Sequence, residues 1–147
     1  MKSILSLVQK NKGFILTVVD RVSRECTIRK LANKSALEVE SIVSQAIKGY
    51  AHTITSDNGT EFTNHQSIAK TLNIQYYFAN PYASYERGSI ENLNGLIRQY
   101  IPKGKEFDDI GQNDLNVIEN KLNNRPRKVL DFLSPIEYRD NYNIVNY

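Results

Sequence analysis

Residues 56–62 read Ser-Asp-Asn-Gly-Thr-Glu-Phe, and thirty-three residues separate Asp57 from Glu91, which lies within Gly-Ser-Ile-Glu-Asn-Leu-Asn-Gly. Asp57 follows the strand-like stretch His52-Thr53-Ile54-Thr55-Ser56, and Glu91 stands near the start of an expected helix. Two carboxylates carried in this way can converge on one divalent metal. Two-metal phosphodiester chemistry needs such ligands, because hard cations prefer oxygen and must neutralise charge on both the attacking and the leaving oxygens. A third carboxylate usually comes from an earlier strand, yet residues 1–19 contain no Asp or Glu.

Each candidate also has a plainer reading. Asp-Asn-Gly by itself is a turn former. Glu91 as an acid in a first helical turn would complement the helix dipole, an effect of about 0.3–1 kcal/mol. Asn94, Gly95 and Arg98 lie three, four and seven residues after Glu91 and share its helix face. There Gly95 would let a nucleic-acid backbone come close and Arg98 could meet a phosphate, or Arg98 belongs to a solvated face. Asn58 and Asn92 each follow a candidate ligand and could hydrogen-bond it or a phosphate. Glu61 is expected to orient the turn and cap the next helix. Arg125, Arg127 and Lys128 surround Pro126 as a phosphate contact or as charge at a helix C-terminus. His52 and His65 lack metal-ligand spacing.

The elements that must position these residues follow from hydrophobic patterning. Ser3–Val8 reads as a short strand, Phe14–Val19 as a buried one, and Cys26–Leu31 as its hairpin partner. Ser35 caps a helix in which Leu37, Val39, Ile42, Val43, Ala46 and Ile47 fall at helical spacing. Strand His52–Ser56 follows, then a helix over 62–72, a strand over Ile74–Ala79 and a loop over Pro81–Gly88. A helix is expected over about Ser89–Ile101, and a last one over about Asn113–Asn123. Strands first, then alternating helix and strand, imply a mixed α/β sheet with helices on both faces.

The 147 residues suit one domain, and 40% hydrophobic with 24% charged residues is ordinary for a globular protein. A net charge of +3 permits nucleic acid as a partner without demanding it. The charge is uneven: residues 1–34 hold eight Lys or Arg against Asp20 and Glu25. One cysteine, Cys26, excludes an internal disulfide and a cysteine-rich zinc site. No apolar run approaches the roughly 20 residues that span a bilayer, and the N-terminus lacks a signal-peptide pattern. A cytoplasmic location without membrane partners is the expectation.

Taken together, Thr55-Ser56-Asp57-Asn58-Gly59-Thr60-Glu61-Phe62, Tyr77-Phe78-Ala79-Asn80-Pro81-Tyr82, the run from Glu86 to Gly104, Leu122-Asn123-Asn124-Arg125-Pro126-Arg127-Lys128 and Ser134-Pro135 resemble the catalytic core of retroviral-type integrases and DDE transposases. Within these the chain looks most like the insertion-sequence transposases of family thirty, over about Gly13 to Tyr138. The resemblance implies a ribonuclease H-like mixed sheet flanked by helices and a bacterial, nucleoid-associated protein. It implies Mg2+, or Mn2+ in its place, held by Asp57 and Glu91. It implies contacts to DNA from Asn92, Asn94, Arg98, Arg125, Arg127 and Lys128, with element ends and target as substrates. The reaction it implies is hydrolytic cleavage at the element's ends, then attack by the freed 3′-hydroxyl on target DNA. A homo-oligomer or a full-length transposase is the implied protein partner.

One departure from the family pattern stands out. The first Asp of such cores should fall around Ser3–Leu5 or just before Met1, and those positions hold Ser, Ile and Leu. Asp20 is the nearest acid, but it matches a Val-Asp-Arg strand end, and only thirty-six residues separate it from Asp57. The expectation is a single core, residues 1–147, with an incomplete or altered opening strand. It would be an N-terminally truncated transposase whose activity is impaired. The rivals are an enzyme completed by Asp20 or by another chain, and a non-enzymatic DNA-binding or dimerising remnant.

Overall fold

Strands β1 (Lys2–Gln9), β2 (Phe14–Asp20), β3 (Cys26–Leu31), β4 (Thr53–Ser56) and β5 (Gln75–Phe78) form one sheet in the order β3-β2-β1-β4-β5. The computed structural model describes residues 2–9, 13–46, 53–56, 60–78, 84–101 and 109–145, with backbone alone for 2–9, 84–91 and 142–145. β2 is antiparallel to β1 and β3, whereas β1, β4 and β5 run parallel. Helices α1 (Ala36–Ala46), α2 (His65–Leu72), α3 (Ser84–Tyr100), α4 (Gln112–Asn123) and α5 (Pro135–Val145) complete the fold, with 3-10 turns at Thr60–Phe62 and Lys128–Leu130. This is the expected ribonuclease H-like arrangement. No helix among the described residues is long and apolar enough to cross a membrane.

β2 is apolar without alternation because both of its faces are covered. Ile15 and Val19 join Cys26 and Ile28 beneath Leu93 and Ile97 of α3 and Leu115, Ile118 and Leu122 of α4. Leu16 and Val18 pack on the other face with Leu31, Val39 and Val43 of α1, Ile54, Phe62 and Ile68 of α2. Two cores therefore share one sheet.

The outer edge of β3 is closed by side chains. Gln112, Glu119 and Asn123 are spaced along α4 so that each meets the outward backbone of an alternate β3 residue. The Cys26 N–H donates to Asn123 Oδ1 (2.8 Å), and Asn123 Nδ2 donates to the Cys26 carbonyl (2.9 Å). The Ile28 N–H donates to Glu119 (2.9 Å), and Gln112 bridges the Ile28 carbonyl and the Lys30 N–H. An edge that would otherwise offer bare donors and acceptors is capped by this pseudo-strand.

Two helix starts differ from expectation by three residues or more, and one helix is additional. The helix expected over 62–72 starts at His65, because Phe62 sits in a 3-10 turn and is fully buried. The helix expected from Ser89 starts at Ser84 and continues through Gly88, so helical geometry outweighs the roughly 1 kcal/mol propensity cost of an interior glycine. Helix α5 was not expected at all. Ser134 and Glu137 build its capping box, with the Ser134 N–H donating to Glu137 (2.8 Å) and the Glu137 N–H to Ser134 Oγ (3.2 Å). The Ser35 cap on α1 is present, its hydroxyl accepting the Glu38 N–H at 3.2 Å.

Candidate active site

Parallel β1 and β4 are in register, Ile4 beside Thr55 and Leu5 beside Ser56, while Ile4 also faces Val19 on β2. Partners in register share a face of the sheet, and successive residues alternate. Val19 belongs to the core under α3 and α4, and Ile54 to the core under α1 and α2. The row Val19–Ile4–Thr55 therefore lies on the α3 side, and α3 contacts both β1 and β2. Asp57 immediately follows β4, and it lies outside the described residues together with His52 and Asn58. Glu91 is carried by the backbone of α3.

Glu91 stands two turns inside α3 rather than near its start. The dipole effect fades beyond the first turn, so it gives no reason for an acid here. On the same helix Leu93 and Ile97 are buried, while Asn92, Gly95 and Arg98 are exposed. A Cβ added at Gly95 would meet nothing within 4 Å, leaving open space above the helix. Asn94 points less outward than the others: its Oδ1 is buried and has no hydrogen-bond partner among the described residues.

The strand that should supply the first acid reads Lys-Ser-Ile-Leu-Ser-Leu-Val-Gln, in full register with β2. Asp20 is the register partner of Ser3, which pairs in turn with Ile54. That row lies on the α1 side, opposite α3. The Asp20 carboxylate accepts the Val22 N–H at 2.9 Å, and its carbonyl accepts the Arg24 N–H at 2.8 Å. It is a turn acid that accepts a backbone N–H of the turn it opens.

Glu61 corrects a further expectation. It does not cap α2, whose preceding Asn64 turns its amide to Glu40 (2.9 Å), while the Ser67 hydroxyl also donates to Glu40. Glu61 is instead 4% exposed, with Oε2 lying 3.4 Å from Lys34 Nζ. The pair ties the turn after Gly59 to the segment between β3 and α1. Sequence carried no signal for this, since a buried acid looks like any other Glu. His65 packs edge-on against Phe78 (4.8 Å) and beside Tyr76 (5.6 Å), a structural role.

The basic cluster is divided by the structure. Arg125 and Lys128 are exposed. Arg127 donates through Nη2 to the Leu122 carbonyl at 3.2 Å, at the C-terminal end of α4, and its Nε is buried. Burial lowers the Arg127 pKa. α4 begins against Lys30 and ends against Cys26, so the chain leaves it at the sheet end where β1 starts. β4 leaves the sheet in the opposite direction. The end of α4 is nonetheless level with the Val19–Ile4–Thr55 row, because Cys26 faces Val19, and it lies at the β3 edge of the sheet.

With this geometry in hand, the relatives of the chain can be placed. The family described as integrase core domain matches residues 5–84. The transposase for insertion sequence element IS4351 of Bacteroides fragilis is 52% identical over 136 residues, covering 90% of this chain and 42% of that protein. Transposase InsI for IS30A of Escherichia coli (strain K12) is 35% identical over 127 residues, covering 84% of this chain and 33% of its own. The chain therefore spans less than half the length of these curated relatives. The catalytic core domain of BIV integrase superposes with a TM-score of 0.76 at 22% identity, over 99% of this chain and 98% of that one. A chain of the simian T-cell lymphotropic virus intasome in complex with PP2A regulatory subunit B56 gamma gives 0.70 at 21% identity, over 83% and 48%. With more than half its length matched by the family model, the chain belongs to the integrase core domain family.

Proposed function

We propose that the chain is the catalytic-core part of a DNA transposase, built for metal-dependent cleavage and transfer of phosphodiester strands, and impaired in that chemistry. The observation that carries the reading is the parallel β1–β4 pair with α3 on the Val19–Thr55 side. Asp57 lies two residues beyond Thr55, and strand alternation continued past β4 would aim it at the helix that carries Glu91. Two relatives named as insertion-sequence transposases support the substrate class.

In this reading Asp57 and Glu91 hold Mg2+ or Mn2+, for which a carboxylate pair is a suitable hard donor set. The bound ion supplies activation of the attacking oxygen and stabilisation of the leaving one. Gly95 leaves room for a DNA backbone, Arg98 meets a phosphate, and Asn92 and Asn94 orient carboxylate or phosphate oxygens through their amides. Arg125 and Lys128 meet DNA away from the reacting bond. Copies of the chain or a full-length transposase complete the assembly.

The impairment follows from β1. Its register position beside Thr55 is Ile4, which offers no ligand. Loss of one of three carboxylates weakens metal binding and disturbs alignment, worth a loss of at least about 10²-fold in rate. The same observation favours a second reading, a DNA-binding or dimerising remnant without catalysis. Purified chain, magnesium and supercoiled DNA carrying an element end test both. Salt-sensitive binding with nicking near background is expected. Robust nicking that Asp57→Ala abolishes would show a complete enzyme.

A further inference from the structure

The connection between α4 and α5 is bonded to itself. The Arg127 N–H donates to the Leu133 carbonyl (2.9 Å), and the Arg127 carbonyl accepts from Leu130 (3.0 Å) and Phe132 (2.8 Å). Leu130 is buried beneath it. Asp131 and Phe132 adopt φ values of 56° and 66°, two successive non-glycine residues in the left-handed region. For a bulky residue this is an outlier that persists only when the surroundings impose it. Here the turn's own hydrogen bonds impose it, the Asp131 N–H donating to the Lys128 carbonyl at 3.1 Å. The turn leaves Phe132 and Val129 each 67% exposed, and no packing among the described residues accounts for a phenyl ring held in water.

The charge near the loop is mostly positive. Arg24 and Arg125 both act on the Arg127 guanidinium, so three arginines share one neighbourhood. Among the described residues neither Arg125 nor Lys128 is in an ion pair, whereas Glu25 is bound to Arg139 and Glu119 to Arg29. Asp131 is the exposed acid within the loop. Concentrated positive charge beside a presented aromatic face is the pattern of single-stranded nucleic-acid binding, where cations track phosphates and rings stack on bases. Duplex would not use the ring, since its base faces are already stacked. A protein partner fits less well, because two apolar side chains fall far short of the roughly 800 Å² per side of a stable interface.

We propose that this loop is a second DNA contact, separate from the Asp57 and Glu91 site, in which Phe132 stacks on an unpaired base while Arg125 and Lys128 hold the flanking phosphates. The inference rests on the reading of the chain as a DNA-acting core. It adds that the core grips unpaired DNA beyond the β3 edge of the sheet, two strands from β1.

The experiment measures fluorescence anisotropy of the full chain with a labelled oligothymidylate and, separately, a duplex of equal length. Phe132→Leu keeps an apolar side chain and loses the ring face. It should weaken oligothymidylate binding at least about fivefold and leave duplex binding within about twofold. Phe132→Tyr should restore it, which a merely structural role would not explain. Arg125→Gln with Lys128→Gln should weaken both ligands and flatten the salt dependence. If Phe132→Leu binds oligothymidylate as the unmodified chain does while the charge variant does not, stacking is wrong and DNA binding stands. If the unmodified chain binds neither oligonucleotide at low salt, both readings fall. If Phe132→Leu changes only the sedimentation coefficient, the ring belongs to a contact between copies and the proposal is overturned.

Discussion

Two seams of the sheet use polar residues in opposite ways. At the β3–α4 seam Gln112, Glu119 and Asn123 all bond the backbone of β3. At the β1–β4 seam, where the family would place its first acid, the central strand presents Ser3, Ile4 and Leu5 in register with Ile54, Thr55 and Ser56. The first seam holds the frame that the second would need. The residues that hold the fold at the first seam are therefore different from those that the proposed chemistry would need at the second.

The comparison is broken most severely at Asn123. Asn123→Ala leaves both the N–H and the carbonyl of Cys26 buried without partners, each worth about 1–3 kcal/mol. A loss of about 2–4 kcal/mol by urea denaturation is expected. Cys26 reports the same event by its chemistry, since burial pushes its thiol up to about 12 and suppresses thiolate at neutral pH. Thiol modification should be very slow in the unmodified chain and much faster in Asn123→Ala. A loss below about 0.5 kcal/mol would mean that α4 merely lies beside the edge.

Smaller effects sharpen the picture. Glu119→Ala removes the partner of the Ile28 N–H and of Arg29, which it meets at 2.9 Å, for about 1–2 kcal/mol. Gln112→Ala should cost less, about 1 kcal/mol, because its bonds to β3 are between neutral groups. At the opposite edge, Tyr77 is half exposed and its hydroxyl donates to Gln75 on its own strand, so Tyr77→Lys should stay within about 0.5 kcal/mol. A large loss there would show that β5 is covered as β3 is.

Glu25 gives the seam's neighbourhood a pH signature. Burial raises its carboxyl above the ordinary 4.5, Arg139 opposes the rise, and Asp20, Glu119 and Asp140 add to it. The folded chain then holds the proton more tightly than the unfolded one. The associated stability is present below 4.5 and is lost as pH rises through the folded value. Glu25→Gln should remove that decline in a pH series of thermal melts, and a decline unchanged by the substitution would reassign it.

Much of this architecture could be read in the sequence, because β2 is apolar or β-branched up to Asp20 and α1 carries both its cap and its helical period. The candidate site was legible as a pattern of Asp57, Glu91 and their spacing. α5 was legible in principle through the Ser134-Pro135-x-Glu137 capping box, which a hydrophobic scan of a weakly amphipathic segment passes over. The α4 seam was not, since Asn123 meets Cys26 across ninety-seven residues and nothing local marks its amide as a backbone partner. The Lys34–Glu61 pair was hidden for the same reason. Strand register also escaped the sequence, and it is what singles out Ile4 among three equal candidates.

That choice supplies the most direct test. Ile4→Asp places a carboxylate in the row of Thr55 and Val19, whereas Leu5→Asp places it in the row of Ser56 and Val18, on the other face. With magnesium and element-end DNA, the account predicts nicking by Ile4→Asp at least about 10²-fold above the unmodified chain, and none gained by Leu5→Asp. Equal gain by both variants, or strong nicking by the unmodified chain, would contradict it.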